Sequence, residues 1–212
     1  MAVFAFAVAA ASAHAASGGV GTGGGASGSD LTSPTGPVTS TAFGSRVLQV
    51  GMEGNDVKVL NGIVKSKSYS GGVRVGNVFE SPTEEAVQEF QAEAGLPSTG
   101  VVNQTTSQAL TQSMDRAAAT WYGPGFYGNR TACGRTLRTT TIGVAHRTLP
   151  CGTKVTFAYR GHYLVAPVID RGPYSGGYTF DLTGAAAQAL GFTGSGNLRY
   201  AVARPGSDLR GL

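Results

Sequence analysis

The chain has 212 residues, 41% of them hydrophobic and 13% charged, with a net charge of +4 and a pI near 9.2. That is enough length for one medium domain or two small ones and enough apolar content for a folded core, which excludes a wholly disordered chain. The basic balance suits an anionic partner, but no run of Lys and Arg and no aromatic–basic stripe is present, so nucleic acid is not the expected one.

Residues 1–15, MAVFAFAVAAASAHA, are apolar and end in Ala13-His14-Ala15, a small-x-small cleavage pattern. This reads as a secretory signal, too short to span a bilayer. No Lys or Arg precedes the apolar run, so either the start lies upstream or the signal is atypical; a buried N-terminal helix is the other reading. No later stretch is apolar enough for a membrane span. Residues 16–44 are rich in Gly, Ser, Thr and Pro and cannot bury enough surface to fold, which makes them a linker. The two cysteines, Cys133 and Cys151, are expected to pair in an exported chain, two free buried thiols being the alternative. Beyond the signal only His146 and His162 remain as histidines, and no tight Cys/His spacing exists, so no metal site and no cofactor are expected.

Over residues 45–114 the pattern becomes helical. GNDVKVLNGIVK spaces Val57, Leu60 and Val64 on one face. SPTEEAVQEFQAEAGL opens with Ser81 as cap, Pro82 in the first turn and Glu84 three residues on. Ala86, Val87, Phe90 and Ala94 form its expected buried stripe and Gly95 its end. A third helix is expected over TTSQAL. The order of Leu48, Gly51, Gly54, Val57 and Leu60, then Phe79, Thr83, Ala86, Val87, Phe90, Gln91, Gly95, Leu96, Gly100 and Val102, resembles the peptidoglycan-binding-like family. LNGIV departs from the family's usual continuation, and the loop KSKSYSGGVRVG is long.

Over residues 119–204 short strand-like runs, ATWYG, TIGVAH, KVTFAY, YLVAPVID, YTFDL and LRYAV, alternate with Gly and Pro. One helix, GAAAQALG, interrupts them, with Thr183 as its cap and Gly191 at its end. This pattern predicts a closed barrel. ATWYGPGFYGNRTACG, AHRTLPCGT, IDRGPY and FDLTGAAAQALGF resemble, in this order, the motifs of the rare lipoprotein A family. That resemblance implies an all-β six-stranded double-psi β-barrel with one short helix, related to expansins. The expected whole is a multidomain protein in which a small all-α three-helix domain precedes the barrel.

Asp170 ends the apolar run YLVAPVID and enters the Arg171-Gly172-Pro173 turn. Partial desolvation there favours the protonated acid and Arg171 opposes it, so the sign stays open. Glycosidic cleavage needs an acid for the leaving oxygen, and the resemblance places the family's catalytic aspartate at Asp170; the alternative is an aspartate capping its own turn. Asp181 matches the functional aspartate of the expansin FDL motif, or else favours the following helix dipole. His146 matches the family's active-site histidine, or else is structural; His162 carries no assigned role. Thr120 and Tyr122 lie where related folds line the substrate groove, and Arg171 is counted with them as substrate-binding; Trp121, on the opposite side of the strand, is either core, the expected placing, or a sugar-stacking platform. Arg135 stands where lytic members usually carry a glutamate; a guanidinium there either weakens catalysis or supplies a contact to an anionic wall group.

The resemblance thus implies a secreted, cell-wall-associated and monomeric protein that binds peptidoglycan glycan strands. It would cleave them as a lytic transglycosylase with Asp170, His146 and Asp181 as catalytic residues. The alternative is a non-catalytic, expansin-like wall-binding or wall-loosening protein.

Overall fold

The computed structural model describes residues 42–67, 69 and 72–203. The expected signal, residues 1–15, and the expected linker up to residue 41 lie outside them. The linker's last residues do not behave as a tether: Phe43 is buried and meets the Tyr163 ring edge-on at 5.5 Å. One large aromatic side chain offers enough apolar area to pin the segment.

Three helices come first: α1 (Asn55–Ser66), α2 (Ser81–Glu93) and α3 (Gln104–Gln112). Val57, Leu60 and Val64 of α1 are buried as the periodicity predicts, but Val59, Asn61, Gly62 and Ile63 are buried as well. The helix is covered on a second side. In α2 the cap is Glu80 rather than Ser81, it makes no side-chain capping bond, and Pro82 lies in the first turn. Ala94 is exposed, and Thr83 and Gln91 take buried positions instead. Both are polar yet satisfied. Gln91 donates to Val101 O (2.9 Å) and Thr106 Oγ1 (3.1 Å) and accepts from Gly100 N (2.9 Å). Asn61 does the same for the other half of the unit, donating to Gly76 O and Val78 O (both 2.9 Å) and accepting from the Thr83 hydroxyl (2.7 Å). Two buried amides therefore hold two irregular loops against the helices, because a buried amide left unpaired would be strongly unfavourable. Gly95 ends α2 in a left-handed conformation (φ 67°), and Leu96 N reaches back to Gln91 O at 2.8 Å.

Strands β1 (Asp115–Tyr122), β2 (Val144–Ala145), β3 (Lys154–Tyr159), β4 (His162–Asp170), β5 (Phe180–Thr183) and β6 (Gly196–Val202) follow, with α4 (Gly184–Leu190) between the last two. The barrel begins at Asp115, ahead of the expected residue 119, because β1 pairs with β6 from Asp115↔Tyr200 onward. The strands close in the order β1-β5-β2-β4-β3-β6. The pairs β1/β5 and β2/β4 are parallel, as a double-psi barrel requires, and the rest are antiparallel. Phe157, Phe180, Val144, Val168, Leu182 and Leu198 fill the interior, joined by Ala186 and Leu190 of α4. Thr183 caps α4 by accepting from Ala186 N (3.3 Å), and its hydroxyl also donates to Thr141 O (2.7 Å). Gly191 closes the helix at φ 62°.

The helices sit on the barrel's outer face. Ala158, Tyr163 and Ala201 of the barrel belong to the helical core. Thr111 Oγ1 and the Tyr163 hydroxyl are 3.0 Å apart, and Arg199 donates to Gln112 O (3.0 Å) and Met114 O (3.3 Å) at the end of α3. The closest approach is at Gly62, where a Cβ would collide with the Thr156 hydroxyl. Glycine is unfavourable inside a helix; here it permits the contact. Thr156 Oγ1 is buried with no hydrogen-bond partner among the described residues.

Gly62→Ala should therefore destabilise the chain by about 1–2 kcal/mol in denaturant unfolding, since overpacking outweighs the helix-propensity gain. Adding Thr156→Ala should recover most of that loss. A Gly62→Ala chain more stable than the parent would contradict the close contact.

Candidate active site

Strand register assembles the site. The parallel pair β1/β5 sets Thr120 beside Asp181 and Tyr122 beside Thr183, while Ala145 of β2 is registered with both Asp181 of β5 and Asp170 of β4. Phe180 and Leu182 point into the barrel, so alternation turns Asp181, Thr120 and Tyr122 outward.

The two carboxylates meet different surroundings. Asp170 Oδ1 accepts from Ala132 N (2.8 Å) and Arg171 N (2.9 Å), and Oδ2 accepts from the Tyr122 hydroxyl (3.1 Å). These three donors satisfy both oxygens of the Asp170 carboxylate. Asp181 has the opposite environment: its Oδ1 is buried without a hydrogen-bond partner among the described residues. Burial, reinforced by the charge of Asp170, pushes the Asp181 carboxyl up to about 6. Burial and then Asp170 likewise push the Tyr122 phenol above its ordinary range, so it remains a donor.

The sequence-predicted residues divide into two groups. Asp170, Asp181, Tyr122 and Thr120 come together. His146 adjoins them through its backbone, His146 N donating to Asp170 O at 3.2 Å. Its ring serves its own turn: Nδ1 accepts from Thr148 N (3.1 Å) and Leu149 N (3.0 Å), which puts the proton of the neutral ring on Nε2. Burial, then Arg147 and Arg171, hold the imidazole below its usual range. Among the described residues the His146 and Asp170 side chains share no hydrogen bond. The Arg171 guanidinium also turns from the carboxylates, donating to His146 O and Asp170 O (both 3.4 Å) and lying 3.4 Å from Cys151 Sγ. Arg135 is exposed and sits in the turn of Thr131 and Ala132; its charge also bears on Lys154, whose ammonium is held below its usual range by burial, then by Lys58 and Arg135.

Cys133 and Cys151 form a disulfide. It anchors the loop whose Ala132 N–H holds Asp170, a backbone donor that no side-chain motif announces. Trp121 is not in the core: it is 38% exposed. β1 pairs with β6 only as far as Ala119, and although Trp121 is still registered with Leu182 of β5, its side chain reaches Gly184 at the start of α4. Phe126 (55% exposed) stands edge-on to Tyr122 at 6.1 Å, and Tyr174 is 77% exposed. The sequence signal for this rim is the run WYGPGFYG, in which aromatics stand beside glycines that leave them no wall to pack into.

Among the described residues no group of three or more His, Cys, Asp or Glu is placed to hold a metal ion, and no helix is long and apolar enough to cross a membrane.

Two predictions follow from these environments. An Asp whose folded-state pKa is raised loses stability as pH climbs from the unfolded value toward about 6. Asp181→Asn should therefore unfold at higher denaturant at pH 7, by about 1 kcal/mol after allowance for solvent screening, and match the parent at pH 3. Replacing both cysteines with serine should cost about 3 kcal/mol, the loop-closure value for a ring of this size, measurable as a fall in unfolding midpoint.

Residues 115–202 match the family described as lytic transglycolase, and residues 53–110 match a peptidoglycan binding domain family. Over 97 residues the chain is 43% identical to a protein of Synechocystis named "Probable endolytic peptidoglycan transglycosylase RlpA", covering 45% of this chain and 30% of that protein. Over 80 residues it is 39% identical to the "Endolytic peptidoglycan transglycosylase RlpA" of Campylobacter jejuni, covering 37% and 29%. The chain thus spans about a third of the length of these curated relatives. Among solved structures, the apo expansin of Clavibacter michiganensis aligns at TM-score 0.35 and 23% identity, over 43% of this chain and 50% of that one. Residues 53–110 are thus similar to peptidoglycan-binding domains, and residues 115–202, a closed six-stranded barrel with one short helix, are similar to the barrel of the rare lipoprotein A (RlpA) family.

Proposed function

We propose that the protein is an exported peptidoglycan lytic transglycosylase in which Asp181 carries the proton and Asp170 holds the negative charge. The observation that carries this reading is the contrast between the two carboxyls, one orphaned and raised to about 6, the other surrounded by three donors. A raised, orphaned carboxyl beside a fully hydrogen-bonded one divides the acid and charge-stabilising roles between them. The assignment moves the proton from Asp170, where the sequence motif puts the family's catalytic aspartate, to Asp181.

In the proposed step the Asp181 carboxyl donates its proton to the glycosidic oxygen as the bond from that oxygen to the anomeric carbon breaks. Asp170, ionised, stabilises the positive charge that develops on the sugar ring. The same sugar's primary hydroxyl then attacks the anomeric carbon and returns its proton to Asp181, leaving an anhydro ring and a regenerated acid. No water is consumed. The nucleophile is already tethered, so the barrier reduction from proximity needs no second activated group. A neutral His146 ring, occupied with its turn, is compatible with a one-acid reaction. The exposed Phe126, edge-on to Tyr122, offers an apolar face for a sugar ring beside the carboxylates. Similarity to the transglycosylases named above supports the substrate class.

Purified sacculi should yield anhydro-ended fragments with the native chain. Asp181→Asn should lower kcat/KM by 10³-fold or more and Asp170→Asn by at least 10²-fold. For the native chain kcat/KM should fall about tenfold per pH unit above about 6, where Asp181 loses its proton. Native protein that sediments with sacculi yet releases no fragments would leave the expansin-like binding reading in its place.

A further inference from the structure

Away from the carboxylates, a cavity of about 320 Å³ opens between the end of α3 and the barrel's outer face. Arg116, Arg160 and Arg199 line it together with Tyr159, Asn197 and Thr111, and no carboxylate is among its lining residues.

Three features make this arrangement unusual. Arg116 and Arg199 are direct cross-strand partners on β1 and β6, and Arg199 is registered in turn with Ala158 of β3. Like charges directly opposite one another destabilise a sheet, and among the described residues neither arginine forms an ion pair. Arg160 is the one described non-glycine residue at positive φ (47°), at the tip of the β3–β4 turn, with its guanidinium 5.1 Å from the Tyr159 ring centre. Arg160 and Gly161 (φ 82°) are the two central residues of the hairpin turn between Tyr159 and His162, which takes positive φ at both, and a bulky residue is disfavoured in the first of them. Tyr159 is itself held edge-on against Phe192 at 5.0 Å, so the Arg160 head rests on an anchored ring. Arg199 spends one nitrogen on the carbonyls of Gln112 and Met114, where the negative end of α3 offsets part of its charge. The positive charge of Arg116 and Arg160 is left facing the cavity.

We infer that this cavity binds an oxyanion, a carboxylate or a phosphate carried on a sugar or polyol polymer. Guanidinium forks match both groups in geometry, and Asn197, the Tyr159 ring and the Thr111 hydroxyl supply the polar and apolar surface that a sugar or glycerol unit next to the anion would meet. The volume exceeds that of a lone phosphate and falls at the lower end of small-ligand sites. The site shares no residue with the carboxylate pair, so it serves attachment and not bond cleavage.

Calorimetric titration of the full chain with inorganic phosphate, N-acetylmuramic acid and a short glycerol-phosphate oligomer tests this. At least one probe should bind saturably. Arg116→Gln and Arg160→Asn, the latter keeping a residue that tolerates positive φ, should each weaken that binding tenfold or more, while Lys58→Gln, a charge removed elsewhere, should change it less than twofold. Tighter binding of the oligomer assigns the anion to a phosphodiester polymer, and tighter binding of N-acetylmuramic acid assigns it to a sugar carboxylate. Absence of saturable binding by all three probes, or an equal loss with Lys58→Gln, overturns the inference.

Discussion

The parallel pairing of β1 with β5 and of β2 with β4 is the constraint on which the site depends. It brings strand ends from distant parts of the chain into one row, so that Thr120, Asp181 and Asp170 share an outer face. A shift of one residue in β5 would turn Asp181 into the barrel and Phe180 out of it. That slip is opposed by the contacts of Phe180 with Phe157 and Tyr200, at 5.2 and 4.9 Å. The apolar interior thereby fixes the geometry of the polar exterior. A carboxyl that destabilises the fold is kept in place by aromatic packing on the other side of the same strand.

Much of this was readable from residues alone. The helix over SPTEEAVQEFQAE, the capping role of Thr183 and the end at Gly191 are local signals, and local signals survive folding. The closed barrel and the nearness of Asp170 to Asp181 were legible through the order of four motifs. What the sequence concealed was relational. The burial of α1 on two sides depends on a barrel that follows later in the chain, and Gly62 looks like a weak helix residue until Thr156 is set against it. Ala94 fits the periodic stripe but lies beyond the helix's covered length.

At the site, the division of labour between the two aspartates could not be read from the motifs. The donors to Asp170 are two backbone N–H groups and a phenol from three separate segments. Backbone donors leave no trace in residue identity. The ring of His146 is similarly claimed by Thr148 N and Leu149 N, a turn whose geometry the residues AHRTLP do not disclose. Trp121 was misplaced because alternation presumes a neighbouring strand on both sides, and past Ala119 β1 keeps β5 but has lost β6.

The junction between helices and barrel has a consequence for reach. Only Ser113 and Met114 separate α3 from β1, and the carbonyl of Met114 is held by Arg199. With only these two residues at the joint, a wall polymer held by the helices, under the proposed function, would meet the carboxylates at one fixed bearing. Spacing along that polymer, as well as bond type, would then decide which linkage is presented, in the manner of a calliper set to a single width.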